Sequence, residues 1–241
     1  MAERTNPIIV PLDVSTLAEA ERLAARLAGA VAAVKIGKQL FTAEGPAAVR
    51  AMHAAGFRVF LDLKYHDIPN TVAGAVESAV ALGVWMLNVH ASGGAAMLRA
   101  AASALAGAPP GRRPLLLGVT VLTSLGDPDI QEAWGTTRTV PEQVAHLAAA
   151  ARTAGLDGVV ASPQEIGLIR RSCGADFLVV TPGVRPAAAA RDDQRRVMTP
   201  GEAIRAGADY LVIGRPITAA PDPAEAAARI AEECRAATTD H

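Results

Sequence analysis

The sequence predicts one closed (β/α)8 barrel, and three observations support this fold class. Eight short runs rich in Val, Ile and Leu alternate with eight helical segments, and apolar strands covered by helices are typical of a parallel sheet. The 241 residues suit one large α/β domain. No change in composition indicates a linker, so we predict a single domain over residues 1–241. A doubly wound open sheet is the alternative fold for the same pattern.

The eight strands follow from the apolar runs in chain order. Each run is short and continuously apolar, which suits a strand that is buried on both faces. The predicted ranges are 8–13, 32–38, 58–65, 85–90, 114–122, 158–162, 177–181 and 210–214.

The helices are predicted from the stretches rich in Ala and Leu between these strands. In the helix after the third strand, apolar residues recur at helical spacing, namely Val72, Val76, Ala79 and Val80. A polar segment over 123–138 lengthens the connection after the fifth strand. A loop through residue 194 lengthens the connection after the seventh strand. The other helices are predicted to about residue 28, over 45–55, to about 106, through 154, and over 164–172, 200–206 and 223–236.

The composition argues against nucleic-acid and membrane partners. The formal net charge is −1 and no basic run occurs, so the sequence predicts no positively charged surface that would bind nucleic acid. Glycine and polar residues interrupt the uncharged stretch 78–98, which argues against a membrane span.

Cys173 and Cys234 form no spaced framework, and the N-terminus lacks the apolar stretch of a signal peptide. We therefore predict a cytoplasmic protein with two inert thiols.

The third predicted strand carries the densest group of charges. Asp62 and Lys64 are two residues apart, so their side chains point to the same face of the strand, and Asp67 follows just past its end. Only three of the 23 basic residues are lysines: Lys35, Lys38 and Lys64. A buried lysine, unlike arginine, can release a proton near neutral pH. We therefore infer that chemistry or geometry requires lysine at positions 35 and 64, whereas Lys38 is also compatible with a solvated surface.

A barrel brings the carboxyl ends of its strands to one rim, where active sites lie. Charged residues of the first three strands are then expected to form an alternating array of carboxylates and amines: Asp13, Lys35, Asp62, Lys64 and Asp67. Alternation makes such burial possible, because an unpaired charge in a dry site is costly. The alternative is an ion-pair network that only closes the barrel.

Two segments after the seventh and eighth strands combine glycine with arginine. They are 182–186 (Pro-Gly-Val-Arg-Pro) and 213–216 (Ile-Gly-Arg-Pro). Glycine lets backbone N–H groups approach an anion, and arginine offers two parallel donors to phosphate. Because phosphate often binds at this part of a barrel, we predict a phosphomonoester cradle that includes Arg185, Gly214 and Arg215. Either segment alone is also compatible with an ordinary turn and a surface arginine.

Acidic and histidine residues near the rim are also candidate metal ligands: His66, His90, Asp62 and Asp67. Lys64 would place a cation among them, and the histidines match no His-x-x-x-His spacing. No nucleophile elbow or dinucleotide-binding glycine motif opens a helix. The residues therefore argue against a metal site and against a bound dinucleotide.

The segment 62–71 (Asp-Leu-Lys-Tyr-His-Asp-Ile-Pro-Asn-Thr) matches the Asp-x-Lys-x-x-Asp block of the orotidine 5′-monophosphate decarboxylase family, which the chain resembles over nearly its whole length. Further matching motifs follow in order: Pro11-Leu12-Asp13, Lys35-Ile36-Gly37, Leu122-Thr123-Ser124, Pro182-Gly183-Val184-Arg185-Pro186 and Gly214-Arg215-Pro216. The resemblance implies release of CO2 from orotidine 5′-monophosphate to give uridine 5′-monophosphate, the last step of pyrimidine nucleotide synthesis. It also implies a homodimer without metal or organic cofactor.

For this reaction we hypothesise that Lys64 donates a proton, that Asp62 repels the substrate carboxylate, and that Lys35 and Asp67 hold these two groups in place. The resemblance implies the remaining roles. Asp67 and Thr71 would reach into the site of the neighbouring subunit. Substrate contacts are implied along the nucleotide: Asp13 and Lys35 at the ribose hydroxyls, Thr123 and Gln194 at the pyrimidine, and Arg185, Gly214 and Arg215 at the phosphate.

Two other functions are compatible with the same residues. One is a metal-dependent sugar-phosphate decarboxylase or epimerase on the same barrel, and the other is a phosphate-binding barrel without catalysis. The loop that would close over the substrate, 186–193, contains four consecutive alanines, which favour helix.

Overall fold

The computed structural model describes residues 6–186 and 198–239, which include a closed barrel of eight parallel strands. Neighbouring strands pair in chain order, and the first strand closes the barrel by pairing with the eighth. The strands are β1 (Ile8–Pro11), β2 (Ala33–Gly37), β3 (Arg58–Tyr65), β4 (Met86–His90), β5 (Leu115–Val119), β6 (Gly158–Val160), β7 (Leu178–Pro182) and β8 (Tyr210–Val212). The predicted (β/α)8 barrel is therefore confirmed.

The described residues also form eleven α-helices around the barrel. They are α1 (Leu17–Leu27), α2 (Lys38–Glu44), α3 (Pro46–Ala54), α4 (Pro69–Ala81), α5 (Gly94–Ala104), α6 (Asp127–Trp134), α7 (Val140–Thr153), α8 (Ile166–Cys173), α9 (Pro200–Ala206), α10 (Arg215–Thr218) and α11 (Pro223–Thr239).

Most strands end earlier than the sequence predicts. β1 ends at Pro11, two residues before Asp13, and β5 ends at Val119, before the predicted limit at Leu122. Apolar residues continue past the last ladder bond, so the length of an apolar run overestimates the strand. As a consequence, Asp13 and Thr123 belong to loops on the rim of the barrel.

Three short helices are absent from the sequence prediction: α2, α6 and α10. Each of them buries a single residue, which is Leu40, Ile130 or Ile217. A helix that buries one residue has no apolar stripe to reveal its period. Lys38, predicted as the last residue of the second strand, is therefore the first residue of α2.

Side chains fill the interior of the barrel. The inward-facing residues form one layer: Ile9, Ala33, Phe60, Met86, Leu117 and Val180. Towards the amino ends of the strands, the Trp85 ring packs edge-on against Tyr210 with centroids 5.1 Å apart, and the Arg58 guanidinium lies 4.3 Å from the Trp85 centroid. This packing blocks the amino end, so the open part of the interior lies at the carboxyl end, where barrel active sites occur.

Two further sequence expectations concern membranes and thiols. None of the helices within the described ranges is long and apolar enough to cross a membrane. Cys173 and Cys234 are buried free thiols. Burial, together with the nearby charge of Glu233, raises the pKa of Cys234 to about 12, so this thiol stays protonated at neutral pH.

Candidate active site

Four charged side chains form a continuous chain at the carboxyl end of the barrel. Lys35 Nζ lies 3.4 Å from Asp13 Oδ1 and 3.2 Å from Asp62 Oδ2. Lys64 Nζ lies 2.5 Å from the other oxygen of Asp62, Oδ1. Lys35 and Asp62 are buried, whereas 62% of the Asp13 side chain is exposed. The structure thus brings together four of the five residues of the expected array.

Asp62 is the centre of this chain and remains ionised. Burial by itself raises the pKa of its carboxyl. The positive charges of Lys35 and Lys64, with hydrogen bonds from Lys64 and Asn88, outweigh burial and hold the pKa below its ordinary value. The site therefore keeps a carboxylate between two ammonium groups with little solvent to screen them.

The alternation of β3 directs Asp62 and Lys64 to the same side. Leu61 and Leu63 pack into the core between the barrel and the helices, whereas Phe60 lies inside the barrel. Asp62 and Lys64 follow Phe60 on the inner face and line the mouth of the barrel. The shared orientation predicted from their spacing is confirmed.

β3 is nevertheless irregular at this point. Leu61 pairs with Leu87 and Tyr65 pairs with Val89, so four residue steps of β3 lie opposite two steps of β4. Lys64 lies within this bulge and has a φ of 54°, the one positive φ outside glycine among the described residues. A left-handed backbone costs a residue with a Cβ atom about 1–2 kcal/mol. Neighbouring groups must therefore stabilise Lys64 in this conformation.

Asn88 on β4 is a site residue that the sequence prediction misses. Its side chain is fully buried beside the bulge. Oδ1 accepts a hydrogen bond from the Lys64 backbone N–H at 2.8 Å, and Nδ2 donates to Asp62 Oδ1 at 2.7 Å. The available signal was one amide among the apolar residues Met86, Leu87 and Val89 of β4.

Asp67 and Thr71 do not join this group. Asp67 is exposed where the chain bends after β3, and its Oδ1 accepts a hydrogen bond from the Ile68 backbone N–H at 2.6 Å. Among ion pairs between described residues, Lys64 has Asp62 as its partner, and none involves Asp67. The expected contact of Asp67 with Lys64 is thus absent within one chain, because β3 ends at Tyr65. Thr71 is exposed in the first turn of α4.

A cavity of about 600 Å³ opens beside Lys35 and Asp62. The two predicted phosphate segments also line it, with Gly183 and Arg185 after β7 and Gly214 and Arg215 after β8. Arg185 is buried, and its backbone N–H donates to the carbonyl oxygen of Met198 at 3.1 Å. This volume suits a small-molecule ligand, and its lining combines two arginines with Asp13, Lys35 and Asp62 of the charged chain.

A smaller pocket of about 150 Å³ lies above Lys64. Lys35, Asp62 and Lys64 form its charged side. The remaining wall is mostly apolar: Phe60, Val119, Val121, Leu122, Val160, Ala161, Pro182 and Val212. Thr123, which is half-buried, also lines it. A charged wall that faces an apolar wall suits a flat heterocycle with an anionic substituent.

The histidines near the rim form a pair. The ring centroids of His66 and His90 are 5.5 Å apart. Burial lowers the pKa of His90 to about 4, and the charges of His66, Lys38 and Lys64 act in the same direction against the opposing charge of Asp62. Within 6–186 and 198–239, no group of three or more His, Cys, Asp or Glu side chains is arranged to hold a metal ion.

One predicted substrate-binding residue, Gln194, lies outside the described residues. The alanines at 187–190 also lie outside them. The structure therefore contains all the other residues predicted for the site, and it adds Asn88 to them.

Comparison with known proteins gives one consistent result. A family model described as "Orotidine 5′-phosphate decarboxylase / HUMPS family" matches residues 6–230. The chain is 60% identical over 229 residues to orotidine 5′-phosphate decarboxylase of Moorella thermoacetica, covering 94% of this chain and 91% of that protein. It is 55% identical over 240 residues to the enzyme of Syntrophotalea carbinolica, covering 98% of each. The crystal structure of the Lactobacillus acidophilus enzyme superposes with a TM-score of 0.85 at 38% identity, covering 95% of this chain and 99% of that one.

Proposed function

The chain belongs to the orotidine 5′-phosphate decarboxylase / HUMPS family, and on that basis we propose that it converts orotidine 5′-monophosphate to uridine 5′-monophosphate and CO2 in pyrimidine nucleotide synthesis. One observation carries the proposal beyond family membership. The Asp62–Lys64 ion pair lies beside a pocket of ring size, and two arginines line the adjoining cavity. This arrangement suits a nucleotide whose anionic ring substituent sits at the ion pair and whose phosphate sits at the arginines.

Lys64 supplies the proton in this mechanism. When CO2 leaves, the electron pair of the broken carbon–carbon bond stays on the ring carbon, and no carbonyl is positioned to absorb it. The Lys64 ammonium stabilises this charge as it develops and then transfers a proton from Nζ to the same carbon. The products are CO2 and uridine 5′-monophosphate, and Lys64 regains its proton from solvent.

Asp62 acts on the substrate carboxylate. Because Asp62 remains ionised, a substrate carboxylate placed beside it is repelled, and the repulsion disappears as CO2 departs. Lys35 contacts the opposite oxygen of Asp62 at 3.2 Å and keeps the carboxylate oriented. The apolar wall of the small pocket receives the neutral CO2 better than it receives the carboxylate.

The rest of the nucleotide is held along the large cavity. Asp13 and Lys35 bind the ribose hydroxyls, and Thr123 and Gln194 contact the pyrimidine. Arg185, Gly214 and Arg215 bind the phosphate. Phosphate binding is remote from the reacting carbon, so its binding energy is available to order the site for reaction.

The proposal includes a homodimer in which Asp67 and Thr71 complete the neighbouring site. Both residues are exposed in the single chain, and Ile68 beside Asp67 has 66% of its surface exposed. An exposed carboxylate and hydroxyl flanking an apolar side chain suit a contact with a second copy. We also propose that the whole chain acts as one catalytic domain in the cytoplasm, without metal or organic cofactor.

The proposed function is tested by ultraviolet monitoring of orotidine 5′-monophosphate with the purified protein. We expect conversion to uridine 5′-monophosphate at an undiminished rate after exhaustive chelation. Loss of activity on chelation, restored by a divalent metal, would instead support a metal-dependent enzyme. Binding of the nucleotide without turnover would support a phosphate-binding barrel.

A further inference from the structure

We propose that Asn88 is a positioning residue, whose carboxamide fixes the Lys64 backbone and the Asp62 carboxylate relative to each other and thereby sets the place of the reacting ammonium group. The inference rests on the proposed function, because it gives Asn88 a part in the decarboxylation. In this mechanism Asn88 contacts neither the Lys64 Nζ atom nor the ring carbon that receives its proton. It acts through its hydrogen bonds to the Lys64 backbone and the Asp62 carboxylate.

Hydrogen-bond chemistry determines the orientation of the carboxamide. The Lys64 backbone N–H can only donate, so it must face the amide oxygen of Asn88. The ionised Asp62 carboxylate can only accept, so it must face the amide nitrogen. The two polar ends of one buried side chain are therefore each committed to one residue of the catalytic pair.

The bulge explains why Lys64 needs such a partner. Between Leu61 and Tyr65 the regular pairing of β3 with β4 is interrupted, so the Lys64 N–H has no backbone acceptor across the ladder. The Asn88 oxygen takes the place of that acceptor at 2.8 Å. Without it, Lys64 would keep a left-handed backbone and a half-buried unpaired donor, which favours relaxation to another conformation.

The barrel interior offers no other reason for an amide at this position. Met86, two residues earlier on the inner face of β4, belongs to the apolar layer. Leu117, which pairs with Asn88 on neighbouring β5, belongs to the same apolar layer. Packing alone would therefore be satisfied by an apolar residue at position 88, and the polar group is explained by the two catalytic residues that it contacts.

Asn88→Asp is the sharpest test, because the replacement has the same shape. The variant keeps an acceptor for the Lys64 N–H but loses the donor to Asp62 and adds a second carboxylate. We expect kcat to fall by about 100-fold, the size of effect that a displacement of about 1 Å produces, with little change in affinity for uridine 5′-monophosphate. The ratio of variant to wild-type kcat should rise as the pH falls, because a protonated Asp carboxyl can donate to Asp62 again.

A second variant covers the case in which two adjacent carboxylates prevent folding. Asn88→Ser is uncharged and too short to bridge Lys64 and Asp62, so we expect a similar loss of kcat with binding retained. The control is Thr181→Val on β7, a fully buried site whose hydroxyl has no hydrogen-bond partner among the described residues. A kcat within about threefold of wild type for the folded Asn88 variant, or a loss confined to KM, would overturn the proposal.

A structural measurement separates this inference from the proposed function. Absence of decarboxylation in the wild-type protein would refute the function. The crystal structure of the Asn88→Ser variant would then still test the positioning. Departure of Lys64 from the left-handed region, or separation of its ammonium from Asp62, supports the proposal, and an unchanged Lys64 contradicts it.

Discussion

Lys64 combines a positive φ with a partly buried charge, and separate neighbours stabilise each feature. The Asp62 carboxylate pairs with the ammonium at 2.5 Å, and the Asn88 oxygen receives the backbone N–H at 2.8 Å. One contact at the backbone of Lys64 and one at its ammonium group therefore fix the position of the ammonium together. Such preorganisation is how an enzyme stabilises charge without reorganising during the reaction.

Lys64→Ala should reduce kcat by at least about 1,000-fold, because it removes both the proton donor and the charge that stabilises the transition state. Affinity for uridine 5′-monophosphate should change much less, and both quantities are measured by steady-state kinetics and product inhibition. Lys38→Ala is the matched control, since it removes the same side chain from an exposed position at the start of α2. Appreciable turnover by Lys64→Ala would exclude Lys64 as the proton donor.

Protonation of His90 makes the free energy of unfolding depend on pH. Its pKa is lowered to about 4 by burial and by the charges of His66, Lys38 and Lys64, against Asp62, whereas an unperturbed histidine titrates near pH 6.5. Between these values the unfolded chain binds a proton at His90 and the folded chain does not. The free energy of unfolding should therefore fall as the pH falls from about 6.5 towards 4.

We expect His90→Gln to reduce this dependence. Urea unfolding at a series of pH values from 7 to 5 should give a shallower fall in unfolding free energy for the variant than for wild type. His146→Gln, at an exposed site on α7, serves as the control. Equal slopes for His90→Gln and wild type would contradict the role given to His90.

At the scale of elements, β7 and β8 are each followed by a segment that lines the large cavity. Val184 and Met198 form a parallel bridge, which holds the start of the segment after β7 beside the residues that precede α9. The chain after β8 turns directly into α10 at Gly214, so Arg215 begins a helix at the cavity wall. Two separate elements thus converge on the place proposed for the phosphate.

Arg215→Ala should impair the phosphorylated substrate far more than the nucleoside. We expect kcat/KM for orotidine 5′-monophosphate to fall by about 10- to 100-fold, the size expected for a lost charge-assisted hydrogen bond. The small activity on orotidine should be almost unchanged. Arg229→Ala on α11, which removes an exposed arginine paired with Glu225, is the control. Equal losses on both substrates would remove Arg215 from phosphate binding.

At the scale of the whole molecule, the mouth of the barrel is divided into a charged side and an apolar side. β2, β3 and β4 contribute Lys35, Asp62, Lys64 and Asn88, whereas β5 to β8 contribute mainly valine and proline to the small pocket. Asp67 and Thr71 lie outside this mouth in the single chain. The proposed site contains Asp67 and Thr71 only if a second copy supplies them.

Mixed dimers test this sharing. Asp67→Asn and Lys64→Ala should each be inactive as homodimers. If Asp67 serves the neighbouring site, each mixed dimer contains one intact site, and a random mixture should recover about one quarter of the wild-type rate. Absence of recovery in mixed dimers confirmed by two different affinity tags would show that Asp67 does not cross the interface.

The limits of sequence prediction follow from what local patterns encode. β3 was predicted with its observed bounds because apolar residues continue from Val59 to Tyr65, interrupted only by Asp62 and Lys64. α6 was missed because it buries only Ile130, and Asn88 was missed because nothing in its own strand reveals what lies opposite. Residues that act through contacts across a sheet leave a weak signal in the sequence.

The sequence by itself determined the eight-fold alternation, the rim on which the charges meet, and the shared face of Asp62 and Lys64, because these depend on period and chain order. Only the tertiary structure decided the bulge between β3 and β4, the left-handed backbone of Lys64, the bridge through Asn88 and the separation of Asp67 from the ion pair. The separation of Asp67 depends on the bend after β3, and the other three features depend on register between strands. Register is a property of two paired segments, and neither segment specifies it alone.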